Sequence, residues 1–136
     1  MSTTHENLQQ ALSDLFAPWV QALSLKVESA QADSVTLRLP HNDQLSRVGG
    51  MLCGQAMMAA ADTAMVLALI QHFGQFRPCS TVQLSSTFMK PLSGQDALVT
   101  ARVLRAGKAM AFGEIDLTGA DDGKSVFRAS TTYALM

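Results

Sequence analysis

At 136 residues the chain is one domain's worth of sequence, long enough to bury a core. It is 48% hydrophobic and 15% charged, so it is globular rather than disordered, and its formal net charge of −1 gives no footprint for nucleic acid. A surface so short of charge points to part of it being covered in an oligomer.

The N-terminus, Met1-Ser2-Thr3-Thr4-His5-Glu6, has no basic region followed by an apolar one, so no signal peptide is read. Leu8, Ala11, Leu12, Leu15 and Phe16 fall at helical spacing, and Pro18 is expected to close this N-terminal helix, residues 1–18. Leu23, Leu25 and Val27 alternate with Ser24 and Lys26 as a half-buried strand. Val35, Leu37 and Leu39 alternate with Thr36 and Arg38 as a second, and Ala30 to Asp33 turns the pair into a hairpin. A loop with Gly49-Gly50 follows.

Residues 53–73 then form the stretch around which the rest is organised. From Ala56 on it is Ala, Met and Leu on every side except for Asp62 and Thr63, and Gly74 is a natural stop. Such a helix fills a core or spans a membrane. A span is disfavoured: Asp62 near its centre costs about 2.5–3.5 kcal/mol on the insertion scale, and no basic cluster flanks it. Four strand-like runs complete the chain, 80–88, 97–104, 111–117 and 126–134, separated by turns at Ser93-Gly94, Arg105 to Lys108 and Asp121 to Lys124. In the first of these, Ser80, Val82, Leu84, Ser86 and Phe88 alternate with Thr81, Gln83, Ser85 and Thr87.

Helix, two strands, long apolar helix, four strands is the order of an α+β domain. Six alternating strands with short turns make an antiparallel sheet with one apolar face, and the single buried helix is its natural cover. The expected architecture is one domain, residues 1–136, with the sheet wrapped around the helix.

Cys53-Gly54-Gln55 at the helix start, Ala61-Asp62-Thr63-Ala64 at its middle, Thr81 to Pro91 in the strand after it and Gly107-Lys108 in a later turn carry a resemblance. Over residues 20 to 136 the chain resembles the hotdog-fold acyl-CoA thioesterases of the phenylacetate-degradation type. In that family His-Gly-Gly opens the helix, and an Asp follows eight residues after the first Gly, as Asp62 follows Gly54. Cys53 replaces the His and Gln55 the second Gly. Ser46 and Arg47 stand where several relatives have an Asn that helps hold the thioester carbonyl. The resemblance implies hydrolysis of an aromatic or short-to-medium-chain acyl-CoA to free acid and coenzyme A. Its active site would lie at a subunit interface of a homodimer or homotetramer, and it would need no metal or bound cofactor.

The residues support roles of their own. Asp62, an acid in an apolar helix with no basic residue within a turn, can act as general base on water or attack a thioester directly; the plainer role is a structural hydrogen bond to backbone. Gly54 places free backbone N–H groups at the positive end of the helix, where they can hold an oxyanion, or it is an ordinary capping glycine. The two lie about 12 Å apart along the helix, so one carbonyl cannot touch both within a chain. Either they serve different ends or the site joins two subunits.

Gln55 shares a face with Asp62 and can line the acyl pocket. Thr81, on the polar side of its strand with Gln83, Ser85 and Thr87, resembles the position where relatives use a hydroxyl to orient water; that face could also be simply solvated. Cys53 at the helix start is conceivable as a nucleophile, but no partner activates it, and a small packing residue is the favoured reading. Arg47, Arg105 and Lys108, with Gly107 in the turn, are candidates for the phosphates of coenzyme A.

Cys53 and Cys79 show no metal spacing and fit reduced thiols in a cytoplasm. His5, His41 and His72 are scattered, so no metal site is expected. A hydratase or dehydratase of the same fold would need a His beside Asp62, and a non-catalytic acyl-CoA binding module is the other alternative.

Overall fold

A computed structural model describes residues 5–136. Helix α1 spans His5–Asp14 and α2 Pro18–Gln21. The first four residues of the expected 1–18 helix lie outside the described residues. Within the rest of that segment the helix stops at Asp14, short of Pro18, and a second helix begins at Pro18. Pro18 occupies the first turn of α2, where its missing N–H and fixed φ cost nothing, so it starts a helix instead of ending one.

Leu23 and Leu25 are buried but precede the first strand. Ser24 takes a left-handed φ of 59°, which breaks the extended run, and strand β1 begins only at Lys26 (Lys26–Gln31). Gln9 of α1 stands in for a strand neighbour here. Its Oε1 accepts from the Val27 N–H at 2.8 Å and its Nε2 donates to the Leu25 carbonyl at 3.3 Å. Strand β2 (Ser34–Leu39) returns antiparallel to β1.

Helix α3, Gly54–Phe73, ends as expected: Gly74 adopts φ 79° and its N–H bonds the Ile70 carbonyl at 2.8 Å. Strands β3 (Cys79–Phe88), β4 (Ala97–Ala106), β5 (Met110–Gly119) and β6 (Ser125–Leu135) follow. The six strands form one antiparallel sheet in the order β1-β2-β4-β5-β6-β3. A curved sheet around one long helix is the hotdog fold, as the resemblance implied.

The core lies between α3 and the inner rows of the sheet: Val35, Leu37 and Leu39 of β2, Val99 and Ala101 of β4, Ile115 and Leu117 of β5, Phe127 of β6. The five buried alanines of α3 let these strands approach closely. Gly113 of β5 completes the fit, since a Cβ there would lie 2.2 Å from Met65 Cε and 2.8 Å from the Arg102 carbonyl. By length and composition α3 could cross a membrane, but 67% of that window is buried inside the fold, so its apolar surface serves the core.

Candidate functional site: two clefts on one helix

One stripe of α3 escapes the sheet. Gln55, Met58, Ala59, Asp62 and Val66 recur at helical spacing and are exposed or half-buried, while the residues between them are mostly buried. Across this stripe lies a cleft of about 350 Å³, walled by Phe16, Trp19, Val20, Met58, Ala59, Val66 and Leu84. Asp62 is the one charged residue lining it. Gln55 lies along it as the spacing predicted, and Thr63, also in the lining, spends its hydroxyl on the Ala59 carbonyl at 2.8 Å.

Thr81 reaches Asp62 through an irregularity. Simple alternation puts Thr81 on the same side as Gln83, Ser85 and Thr87. In the sheet, Thr81 pairs with Tyr133 and Gln83 with Thr132, leaving Val82 as an extra residue, a β-bulge. The bulge reverses the alternation, so Thr81 joins the helix-facing row and the other three do not. Its Oγ1 donates to Asp62 Oδ1 at 2.8 Å.

Tyr133 of β6 reaches the same oxygen. Its hydroxyl bonds Asp62 Oδ1 and lies 2.9 Å from the Asp62 backbone carbonyl. Burial, the negative charge of Asp62 and their hydrogen bond raise the phenol well above its ordinary pKa, so it remains a donor. Burial, with Asp62 next, also raises the Cys79 thiol, keeping it protonated. Sequence reasoning missed Tyr133. The available signal was that it is the chain's single tyrosine, on an inward position of an apolar strand where a hydroxyl must find a partner.

Gly54 lies in a second cleft, of about 380 Å³, with Arg47, Met51, Leu52, Met57, Phe88, Met89, Lys90 and Pro91. Cys53 is the N-cap, in extended conformation and without a side-chain capping bond. The first helical hydrogen bond runs from Met57 N to the Cys53 carbonyl at 3.3 Å, so the amides of Gly54, Gln55 and Ala56 precede it. The absent side chain of Gly54 makes room for Phe88, whose ring would lie 3.1 Å from a Cβ. The preceding loop is fixed by the Leu52 N–H on the Leu92 carbonyl at 2.8 Å and the Cys53 N–H on the Leu45 carbonyl at 2.9 Å. Arg47 bonds the Val48 carbonyl and Met51 Sδ, both at 3.3 Å. Lys90, which sequence reasoning passed over, stands in the same cleft.

Asp62, Gln55 and Thr81 therefore come together, and Gly54 and Arg47 come together elsewhere. Arg105, Gly107 and Lys108 occupy a third place, the β4–β5 hairpin end, where Arg105 is still in β4, paired with Phe112, rather than in the expected turn, and Gly107 and Lys108 form the turn itself. Arg77 ties that turn to the far end of α3: it donates to the Lys108 carbonyl at 2.6 Å and stacks 5.3 Å from the Phe73 ring. A helix of this length puts that end about 30 Å from Gly54 in the same chain. No histidine approaches Asp62 among the described contacts. His72 Nδ1 pairs with Asp33 at 2.7 Å and His41 lies 3.6 Å from Asp43.

Known proteins share this architecture. Acyl-coenzyme A thioesterase 13 of Mus musculus is 27% identical over 139 residues, spanning 99% of each chain. The protein of the same name from Homo sapiens is 29% identical over 108 residues, 79% of this chain and 76% of its own. The crystal structure of zebra fish thioesterase superfamily member 2 superposes with a TM-score of 0.88 at 26% identity, over 99% of this chain and 100% of that one. Residues 49–126, more than half of the chain and including Gly54, Asp62 and Thr81, match the thioesterase superfamily, and the protein is a member of that family of thioester hydrolases.

Proposed function

We propose that the protein is an acyl-CoA thioesterase of the phenylacetate-degradation type that hydrolyses an aromatic or short-to-medium-chain acyl-CoA, with Asp62 as general base or nucleophile. The observation that carries this reading is a single carboxylate in an otherwise uncharged, apolar cleft, bonded by two hydroxyls. In the general-base route, water adds to the thioester carbonyl carbon while Asp62 takes its proton. The carbonyl electron pair moves to oxygen, where backbone amides at Gly54 stabilise it. It then returns, the C–S bond breaks, and the sulfur leaves as the thiol with the proton from Asp62. In the alternative route, Asp62 attacks the carbonyl carbon, the thiolate leaves, and water hydrolyses the resulting anhydride. Either route yields one carboxylic acid and one thiol from one thioester and one water. Neither calls for a metal or bound cofactor; coenzyme A enters as part of the substrate.

The separation of the two clefts supports a site shared between subunits. β3 is an edge of the sheet, ten residues long, with Val82 58%, Phe88 50% and Met89 46% exposed beside it. A long apolar edge calls for a partner. In our reading two copies pair there, in a homodimer or homotetramer, and Gly54 of the partner subunit faces Asp62. Phe16, Trp19, Met58, Val66 and Leu84 would receive an uncharged aromatic or short-to-medium aliphatic acyl group. Arg47 and Lys90, and at the β4–β5 hairpin end Arg105 and Lys108, would meet the phosphates of coenzyme A. A cytoplasmic setting, with Cys53 and Cys79 as free thiols, belongs to the same reading.

The test is free-thiol release from a panel of aromatic and aliphatic acyl-CoAs, for wild type and Asp62→Ala together with sedimentation of both. Turnover by the wild type and its loss in the variant, from a dimer or tetramer, is the expected result. Binding without turnover by either would make the protein an acyl-CoA binding module instead.

A further inference from the structure

Tyr133 and Thr81 arrive from different strands, yet both hydroxyls address the same carboxylate oxygen, Asp62 Oδ1. Oδ2 has no hydrogen-bond partner among the described residues, and Asp62 lines the open cleft. The two oxygens of this acid are thus in different states. One is saturated with donors, and the other is available to a ligand. We propose that Tyr133 is a positioning residue which, with Thr81, pins Oδ1 and so assigns the chemistry to Oδ2, the atom that takes the proton from water or attacks the carbonyl carbon.

The proposal rests on the thioesterase reading for its chemistry but not for its geometry. Tyr133 is 1% exposed, packed in the last strand, and its hydroxyl also lies at 2.9 Å from the Asp62 carbonyl, so it tracks the helix backbone as well as the side chain. A donor anchored at both points restricts rotation of the carboxylate about its last bond. The groups facing Asp62 are few. Tyr133 comes from β6 and Thr81 and Cys79 from β3, and the cleft walls from α2 (Trp19, Val20) and from Phe16 before it carry no charge. No cation competes with the two hydroxyls for the acid within that cleft, so their removal should be visible in its titration.

Hydrogen bonds donated to a carboxylate favour its ionised form. Tyr133→Phe removes one such donor, and the proton affinity of Asp62 should rise. The acidic limb of the kcat/KM profile should move to higher pH. The fall should be in kcat more than in KM. The 13C resonance of the Asp62 carboxyl, followed against pH, should shift its midpoint in the same direction whether or not a substrate is at hand. Because Tyr133 is the only tyrosine, growth on 3-fluorotyrosine replaces this one phenol by a stronger donor and leaves the packing in place. The limb and the carboxyl midpoint should then move to lower pH.

Opposite shifts from the two changes support the proposal. An Asp62 midpoint that neither change moves overturns it. If Tyr133→Phe does not fold, the fluorinated protein decides alone. Absence of turnover by the wild type on every acyl-CoA would remove the thioesterase reading, and the carboxyl titration would still decide whether Tyr133 holds Asp62.

Discussion

Helix α3 turns two different faces to the molecule. Toward the sheet it presents Ala56, Ala60, Ala64, Met65, Leu67 and Ala68, all buried, and there it sets how closely β2, β4 and β5 can come. Along the other side it presents Gln55, Met58, Ala59, Asp62 and Val66, which its own strands leave uncovered. Both faces are apolar except for Asp62 and the Gln55 end, so composition alone does not tell them apart. What separates them is burial. The sheet face is occupied by the chain's own side chains, whereas the other borders a cleft whose one charge has an oxygen without a hydrogen-bond partner among the described residues. Stability should therefore depend on the first face and chemistry on the second, and substitutions can test that division.

The largest effect should come from Asp62→Ala. Loss of a general base or nucleophile should lower kcat by about 10²-fold or more. The thermal midpoint should hold or rise, because an acid leaves an apolar cleft and the Tyr133 hydroxyl keeps the backbone carbonyl at 2.9 Å. A large loss of stability in this variant would mean that Asp62 belongs to the core after all.

The next test asks whether the cleft face is complete within one chain. Gly54→Val pushes a side chain into the space where Phe88 already lies 3.1 Å from a Cβ, and it should abolish turnover as Asp62→Ala does. Co-expressing the two inactive variants should restore about a quarter of wild-type activity, since half the dimers of a random symmetric mixture are mixed and each has one intact site. Mixed dimers without activity would place Gly54 and Asp62 in the same chain's chemistry and break the shared-site reading.

On the sheet face, Gly113→Ala should do the reverse. Its Cβ would overlap Met65 and crowd the Arg102 carbonyl, which is backbone and cannot swing aside. Overpacking of this kind costs about 1–3 kcal/mol, readable in urea unfolding, while kcat of the folded fraction stays near wild type. A fall in kcat without a fall in stability would show that strain passes across α3 from one face to the other.

The sheet face was the more legible of the two in the sequence. Alternation and turn signals located five of the six strands, and the apolar run closed by Gly74 located the helix to within a residue, because both signals are set by burial against many neighbours. Errors arose where one residue decides. The positive φ of Ser24 ends the extended run that Leu23 and Leu25 imitate, and Pro18 can open a helix as easily as close one. On the cleft face, Asp62 and Gly54 were readable by type and spacing, and Gln55 by helical period. Thr81 was singled out beside the acid by resemblance, with a solvated face as the alternative; alternation could not place it, since a bulge at Val82 leaves no mark in an alternating pattern. Tyr133 lies 71 residues from Asp62 in the chain, and no local pattern links residues that only the closing of the sheet brings together.

The smallest effects should come from the cations. Arg47 and Lys90 line the Gly54 cleft, and each is an exposed or half-exposed charge whose contact with a phosphate would be worth about 0.2–1 kcal/mol. Arg47→Ala or Lys90→Ala should raise KM for acyl-CoA by about 1.5- to 5-fold, the equivalent of that energy, and leave kcat alone. The rise should shrink as salt is added, because exposed ion pairs are screened. The same substitutions should not alter KM for a thioester of the same acyl group on a small uncharged thiol. If KM rises equally for the charged and uncharged thiols, these side chains shape the cleft rather than bind phosphate, and the Gly54 end of the helix would have no special relation to coenzyme A.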